Sequence, residues 1–210
     1  IMKANDGAFV YWCEQRGKGT FLHADPIDIS PHMSDYLYSD VPCMIFTSAT
    51  LSAGGRFDYF SRRMGLDWEV EELLLPTCFD FASQALLYIP RNAPDSRKPG
   101  FPAAVAEEVS KIVQASRGRA FVLFTSYQNM TQVYEMLRGK LEYPVLLQGE
   151  RPRSVLLDDF RRDVGSVLFA TASFWEGVDV RGEALSCVII DKLPFEPPGE
   201  PITEARIEKI

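Results

Sequence analysis

The sequence predicts an α/β protein: a parallel sheet with helices on both faces, preceded by a smaller β-rich segment. Three observations predict it. Short, continuous apolar runs recur through the second half of the chain, as strands buried on both faces require. The stretches between them place apolar residues at helical spacing. The runs open into hydroxyl, glycine or acidic residues, which suits a sheet that binds ligands at the carboxyl ends of its strands.

In chain order, residues 8–13 and 20–24 read as two strands, joined as a hairpin across Arg16-Gly17-Lys18-Gly19. Residues 41–47 read as a third strand, entering Ser48-Ala49-Thr50-Leu51. Phe57, Phe60 and Met64 then share one helix face, which Gly65 ends. Residues 90–102 contain Pro90, Pro94, Pro99 and Pro102 with several charges and read as a surface loop. Val105, Val109, Ile112 and Val113 form the next helix stripe, closed by Gly118 as its C-cap.

From there the alternation is regular. Residues 120–125 are a buried strand, and Met130, Val133, Tyr134 and Leu137 mark a helix. Residues 145–147 are the next strand, followed by a short helix at Leu156, Leu157 and Phe160. Residues 167–171 and 187–191 supply two more strands. Strands and helices in this order imply parallel pairing with right-handed crossovers, in a RecA-like or Rossmann-like layering.

With 210 residues and 46% hydrophobic content, the chain can bury a substantial core in one or two domains. No apolar run approaches a membrane span, and the N-terminus has no signal-peptide pattern, so a soluble cytoplasmic protein is expected. A net charge of -7 argues against coating nucleic acid by bulk electrostatics. It leaves room for a local basic groove from Arg151 with Arg153, Arg161 with Arg162, or Arg117 with Arg119; solvated helix faces are the alternative. Cys13, Cys43, Cys78 and Cys187 form no C-x-x-C pair, so neither a disulfide framework nor a cysteine-rich metal site is expected. Cys43 and Cys187 sit in apolar runs and read as small buried hydrophobes. His23 and His32 have no ligand cluster and read as structural or surface residues.

The densest signal is VLFATASFWEGVDVRGE at 167–183. Thr171 and Ser173 leave a buried strand and lead into Glu176-Gly177-Val178-Asp179, an arrangement suited to a ligand above the sheet. An ordinary strand and turn is the alternative. Three such strand-end phrases occur in order: TSATL at 47–51, FTSYQ at 124–128 and ATASFWEGVD at 170–179. Together they resemble motifs III, IV and V of superfamily-two helicases. SFWEGVDVRGEALSCVIIDKLPFEPPGEP at 173–201 narrows this: it resembles the DinG-like branch of the DinG/XPD DNA helicases, in which FWEGVD and KLPF recur. GTFLHADPIDISPHM at 19–33 resembles the segment preceding motif III in that group. The resemblance covers essentially the whole chain.

The resemblance implies a motor with two RecA-like domains that close on ATP and reopen after hydrolysis, advancing single-stranded DNA in DNA repair or replication. Residues 1–75 would be the tail of the first motor domain and 76–210 most of the second, ending before the Q-x-x-G-R-x-x-R motif. Thr171 takes the role of contacting a DNA phosphate, with Ser173 beside it. Gly177 and Asp179, with Glu176, would lie against the ATP ribose; glycine allows close backbone approach and a carboxylate accepts from a ribose hydroxyl. Ser126 and Tyr127 fall near the DNA backbone, where Tyr127 either stacks a base or packs at its helix start. Phe174 and Trp175 carry the same two readings. Thr47, Ser48 and Thr50 would couple nucleotide state to strand movement, or else cap a helix.

The departures from the family pattern shape the rest. There is no G-x-x-x-x-G-K-[ST] loop, because Gly17-Lys18-Gly19-Thr20 has the wrong spacing, and no D-E-A-H-type acidic motif. The family's four iron–sulfur cysteines have no counterpart, as in some DinG-type members. ATP and Mg2+ are therefore expected to be bound mainly by the remainder of the first motor domain, with this chain inactive alone. The expected partners are single-stranded DNA and that remainder, with no membrane. A non-catalytic RecA-like interaction module is one alternative. A small-molecule Rossmann enzyme is another, disfavoured because no glycine-rich turn follows a first strand.

Overall fold

The computed structural model describes residues 6–171, 174, 178–195 and 199–208. The chain divides into two compact units. Leu87–Phe195 form one, and the chain on either side of that span forms the other. Among the described residues no helix is long and apolar enough to cross a membrane.

In the flanking unit, β1 (Phe9–Arg16) and β2 (Gly19–Pro26) make the expected antiparallel hairpin, with Arg16 opposite Gly19. Trp12 stacks on His23 across the strands, ring centres 3.9 Å apart, and its indole N–H donates to Asp25. His23 is thus a packing residue of the hairpin. Helix α1 (Ser30–Met33) continues into a π-helical turn, Ser34–Tyr38, whose Tyr38 hydroxyl donates to the Met64 carbonyl at 2.7 Å. Burial raises the Tyr38 phenol above its ordinary pKa. Helix α2 (Asp58–Met64) ends at Gly65 as its apolar stripe predicts, and α3 (Phe81–Gln84) is a single turn. The last helix, Pro201–Glu208, sets Arg206 to donate to the Ile27 carbonyl at 3.3 Å.

The third strand expected at 41–47 does not form. A continuous apolar run becomes a strand only where a neighbour supplies a ladder for its N–H and C=O groups. Among the described residues no strand runs beside it. Ile45 is 81% exposed, and Cys43 is exposed instead of buried for the same reason.

The central unit carries the parallel sheet. Helix α4 (Phe101–Ser116) has a proline in its first turn, where a missing N–H costs nothing. The loop expected at 90–102 therefore stops at Gly100, and Phe101 and Pro102 are buried. Strand β3 (Ala120–Phe124), helix α5 (Tyr127–Leu137), strand β4 (Val145–Leu147), helix α6 (Arg153–Arg162), strand β5 (Val167–Thr171) and strand β6 (Cys187–Ile190) follow. The sheet order is β4-β5-β3-β6, every pair parallel, with Phe124 level with Thr171 and Leu123 level with Ile190.

Alternation along the strands sorts the core into two layers. Val122, Phe124, Val167 and Phe169 face α4 and α5, meeting Val109, Val113, Met130, Val133 and Leu137. Phe121, Leu123, Leu168 and Ala170 face the other way and meet Leu156, Leu157 and Phe160 of α6. Helices thus cover both faces, and the RecA-like α/β class expected from the sequence is the class observed. Strand β6 is the exception to two-sided burial. Cys187 and Ile189 pack on the core while Val188 and Ile190 are 54% and 43% exposed. Cys187 is half-buried, which pushes its thiol pKa up.

The turn between α4 and β3 is tightly built. Arg117, Gly118 and Arg119 all have positive φ (57°, 72° and 51°), and the Gly118 N–H closes the helix on the Val113 carbonyl at 2.9 Å. A Cβ on Gly118 would lie 1.8 Å from the Gly165 carbonyl oxygen, in the turn that leads into β5. The glycine is required for its conformation and for that close approach of two backbones.

Candidate nucleic-acid and nucleotide interface

Because the four strands are parallel, all deliver their carboxyl ends to one edge of the sheet. The first polar side chains past these ends are Gln148 (β4), Thr171 (β5), Thr125 to Tyr127 (β3) and Asp191 (β6). Hydrogen bonds join them into a row in strand order. The Gln148 backbone N–H is fixed by the Phe169 carbonyl at 2.9 Å. Its side-chain oxygen accepts from the Thr171 backbone N–H at 2.6 Å and from the Thr171 hydroxyl at 3.0 Å. Its amide NH2 donates to the Tyr127 hydroxyl. A backbone N–H can bond only to the oxygen of the amide, which settles the amide's orientation.

On the other side of β3, Asp191 accepts from the Thr125 N–H at 3.0 Å and the Lys192 N–H at 2.8 Å, with the Asn129 side-chain NH2 at 3.5 Å. Partial burial raises the Asp191 carboxyl above its ordinary value of 3.8, and these hydrogen bonds oppose the shift. A carboxyl whose pKa is raised on folding favours the folded state at low pH, and loses that contribution as pH climbs through the folded value. Wild-type protein should therefore gain stability relative to Asp191→Asn as pH falls towards 3.8, which urea unfolding at several pH values would measure.

Ser126 caps α5, its hydroxyl oxygen accepting from the Asn129 N–H at 3.2 Å. Among the described residues the hydroxyl proton has no acceptor, so the group can donate to a ligand beside the positive end of the α5 dipole. Tyr127 is 58% exposed, so its ring is available to a stacking partner. Among the described residues, the Thr125 hydroxyl is buried without a hydrogen-bond partner at this same edge. The structure thus brings together Thr171, Ser126 and Tyr127 of the expected contact residues.

It does not bring Asp179 into the row. Val178 and Val180 pack into the α6-side core, leaving Asp179 between them with an exposed side chain. Its carboxylate pairs with Arg181 at 2.9 Å and its carbonyl accepts from Arg161 at 2.8 Å. Ser173, Trp175, Glu176 and Gly177 lie outside the described residues. Phe174 is 3% exposed, with the Arg153 guanidinium 5.3 Å above its ring, so of its two readings packing is the one observed. Thr47, Ser48 and Thr50 are exposed in a local turn, where the Ser48 hydroxyl oxygen accepts from the Thr50 N–H at 3.1 Å; no helix starts there for them to cap.

The arginines weighed for a basic groove mostly serve local structure. Arg151 pairs with Asp159 at 2.7 Å, Arg161 with Asp158 at 3.1 Å, and Arg119 donates to the Ser116 carbonyl at 2.9 Å. Among the described residues no group of three or more His, Cys, Asp or Glu side chains could hold a metal ion.

Gln148 and Asp191 are the site residues that motif reading passed over. A signal for both was present. In a parallel sheet the first polar residue after each apolar run reaches the same edge, and Gln148 and Asp191 each hold that position.

An open parallel sheet that gathers polar groups at its carboxyl edge belongs to the ligand-binding α/β class. Within that class, residues 109–210 match the model of the helicase C-terminal domain, and nearly the whole chain is similar to proteins named YoaA and DinG ATP-dependent helicases. It is 41% identical to the ATP-dependent DNA helicase YoaA of Haemophilus influenzae over 99% of its own length and 32% of the relative's. The Escherichia coli YoaA is 40% identical over the same shares, 99% and 32%. The ATP-dependent helicase DinG of Mycobacterium tuberculosis is 32% identical over 96% of this chain and 31% of its own. The chain thus spans about a third of the length of the curated relatives it matches.

Proposed function

We propose that this chain is part of an ATP-dependent DNA helicase that translocates along single-stranded DNA, in DNA repair or replication in the cytoplasm. In this reading residues 76–210 form the second RecA-like motor domain and residues 1–75 the tail of the first. The observation that carries it is the row of donors at the carboxyl edge, in a chain akin to proteins named DNA helicases. Phosphate oxygens are acceptors, so a DNA backbone needs donors: the Thr171 hydroxyl and N–H, the Ser126 hydroxyl and the start of α5. Tyr127 stands exposed where a base could stack on it, and Ser173 is two residues beyond Thr171 in the sequence.

ATP binds between the two motor domains. Asp179 accepts from the ribose by giving up its exposed pairing with Arg181, a pairing of the kind worth little in water. Glu176 and Gly177 adjoin it in the sequence. The phosphate-cradling loop and the Mg2+ ligands lie in the remainder of the first motor domain, and Thr47, Ser48 and Thr50 couple its nucleotide state to DNA movement.

In the full-length protein, Thr171→Ala should weaken single-stranded DNA binding about tenfold, the scale of one hydrogen bond to a charged group. The loss should be similar for oligonucleotides of different sequence, because phosphate contacts carry no sequence information. ATP affinity without DNA should be unchanged. Fluorescence anisotropy on labelled oligonucleotides, with nucleotide titration in parallel, measures both. A variant that lost ATP binding and kept DNA binding would refute the assignment.

A further inference from the structure

We propose that the Gln148 side chain is a placeholder for a DNA phosphate: its amide oxygen occupies, in the DNA-free state, the position a phosphate oxygen takes on binding. The proposal rests on the reading of Thr171 as a phosphate contact. Thr171 has two donors, and both point at one atom, the Gln148 side-chain oxygen, at 2.6 and 3.0 Å. Thr171 is only 5% exposed. With Gln148 in place, it has neither a free donor nor the open surface to meet a phosphate. An acceptor oxygen held between a backbone N–H and a hydroxyl is also the arrangement a phosphate oxygen would adopt there.

The Gln148 backbone stays fixed by the Phe169 carbonyl, so rotation of the side chain alone vacates the position. The same rotation breaks the bond to the Tyr127 hydroxyl and releases that exposed ring to meet a base. Phosphate entry and tyrosine release are therefore one event. The displaced bonds oppose binding, so Gln148 lowers affinity for DNA and makes engagement of β5 and α5 concerted.

The test uses the full-length protein and a labelled oligo-dT, with Gln148→Ala, Gln148→Glu, Thr171→Ala and the Gln148→Ala/Thr171→Ala double variant. Thermal melts verify folding. Removing the competitor should tighten binding about threefold to tenfold, the scale of one neutral hydrogen bond. Gln148→Glu keeps the acceptor, strengthens it by charge and repels phosphate, so it should weaken binding at least as much. With alanine at 171, which removes the hydroxyl but keeps the backbone N–H, removing Gln148 should tighten binding less than it does in the wild type. If Gln148→Ala weakens binding or leaves it unchanged while Thr171→Ala weakens it, the placeholder is overturned and the Thr171 contact stands. If Thr171→Ala does not change DNA binding at all, the Thr171 contact itself is overturned, and the placeholder with it.

Discussion

Alanine at position 118 is expected to cost about 3–5 kcal/mol of stability, from positive-φ strain and a steric clash that must be relieved by moving backbone. The clash is with the Gly165 carbonyl oxygen, 1.8 Å from the new Cβ, and no side-chain rotation can clear it. The two turns that would have to part lead into β3 and β5, neighbours at the centre of the sheet. Gly139→Ala is the matched control. Gly139 also has positive φ, 70°, but a Cβ there meets nothing within 4 Å. It should cost only about 1 kcal/mol, the conformational part alone. Urea unfolding followed by circular dichroism measures the difference. Equal losses for the two variants would mean that the close approach of residues 118 and 165 is not maintained in solution.

Truncating Phe160 to alanine is expected to cost about 3–5 kcal/mol, the range for deleting a buried aromatic ring. Phe160 is fully buried, its ring centre 4.6 Å from that of Phe121, and it joins α6 to the sheet face formed by Leu123, Leu168 and Ala170. Phe160→Leu, which keeps most of the volume, should cost less than about 1.5 kcal/mol. The same unfolding experiment separates them. A loss under about 1 kcal/mol for Phe160→Ala would mean that α6 is not packed as described.

How far the sequence disclosed this arrangement depends on how local each feature is. Strands β3 and β5 were legible because five successive residues are buried in each, and a run with no polar interruption has few other outcomes. Phe160 was legible through the spacing of Leu156, Leu157 and Phe160. Residues 41–47 look the same by composition but form no strand, since a ladder partner lies outside any local pattern. Thr171, Ser126 and Tyr127 were marked out by motif resemblance. Gln148 was not, because its partners sit on β5 and α5, and nothing before the strand order β4-β5-β3-β6 says that β4 lies beside β5.

That strand order also has a consequence in time. Strand β3 is the first of the four to be made, yet its partners are β5 and β6, the last two. Long-range parallel pairing is slow to form, because the loop between partners must close before any contact rewards it. While the chain is synthesised, Ala120–Phe124 emerges as five apolar residues with no companion strand. A segment of that kind, exposed and unpaired, is prone to associate with other chains until its own partners arrive. The strand that leads into Ser126 and Tyr127 is thus the one that waits longest for its place, and its pairing is complete only once Cys187–Ile190 has docked beside it.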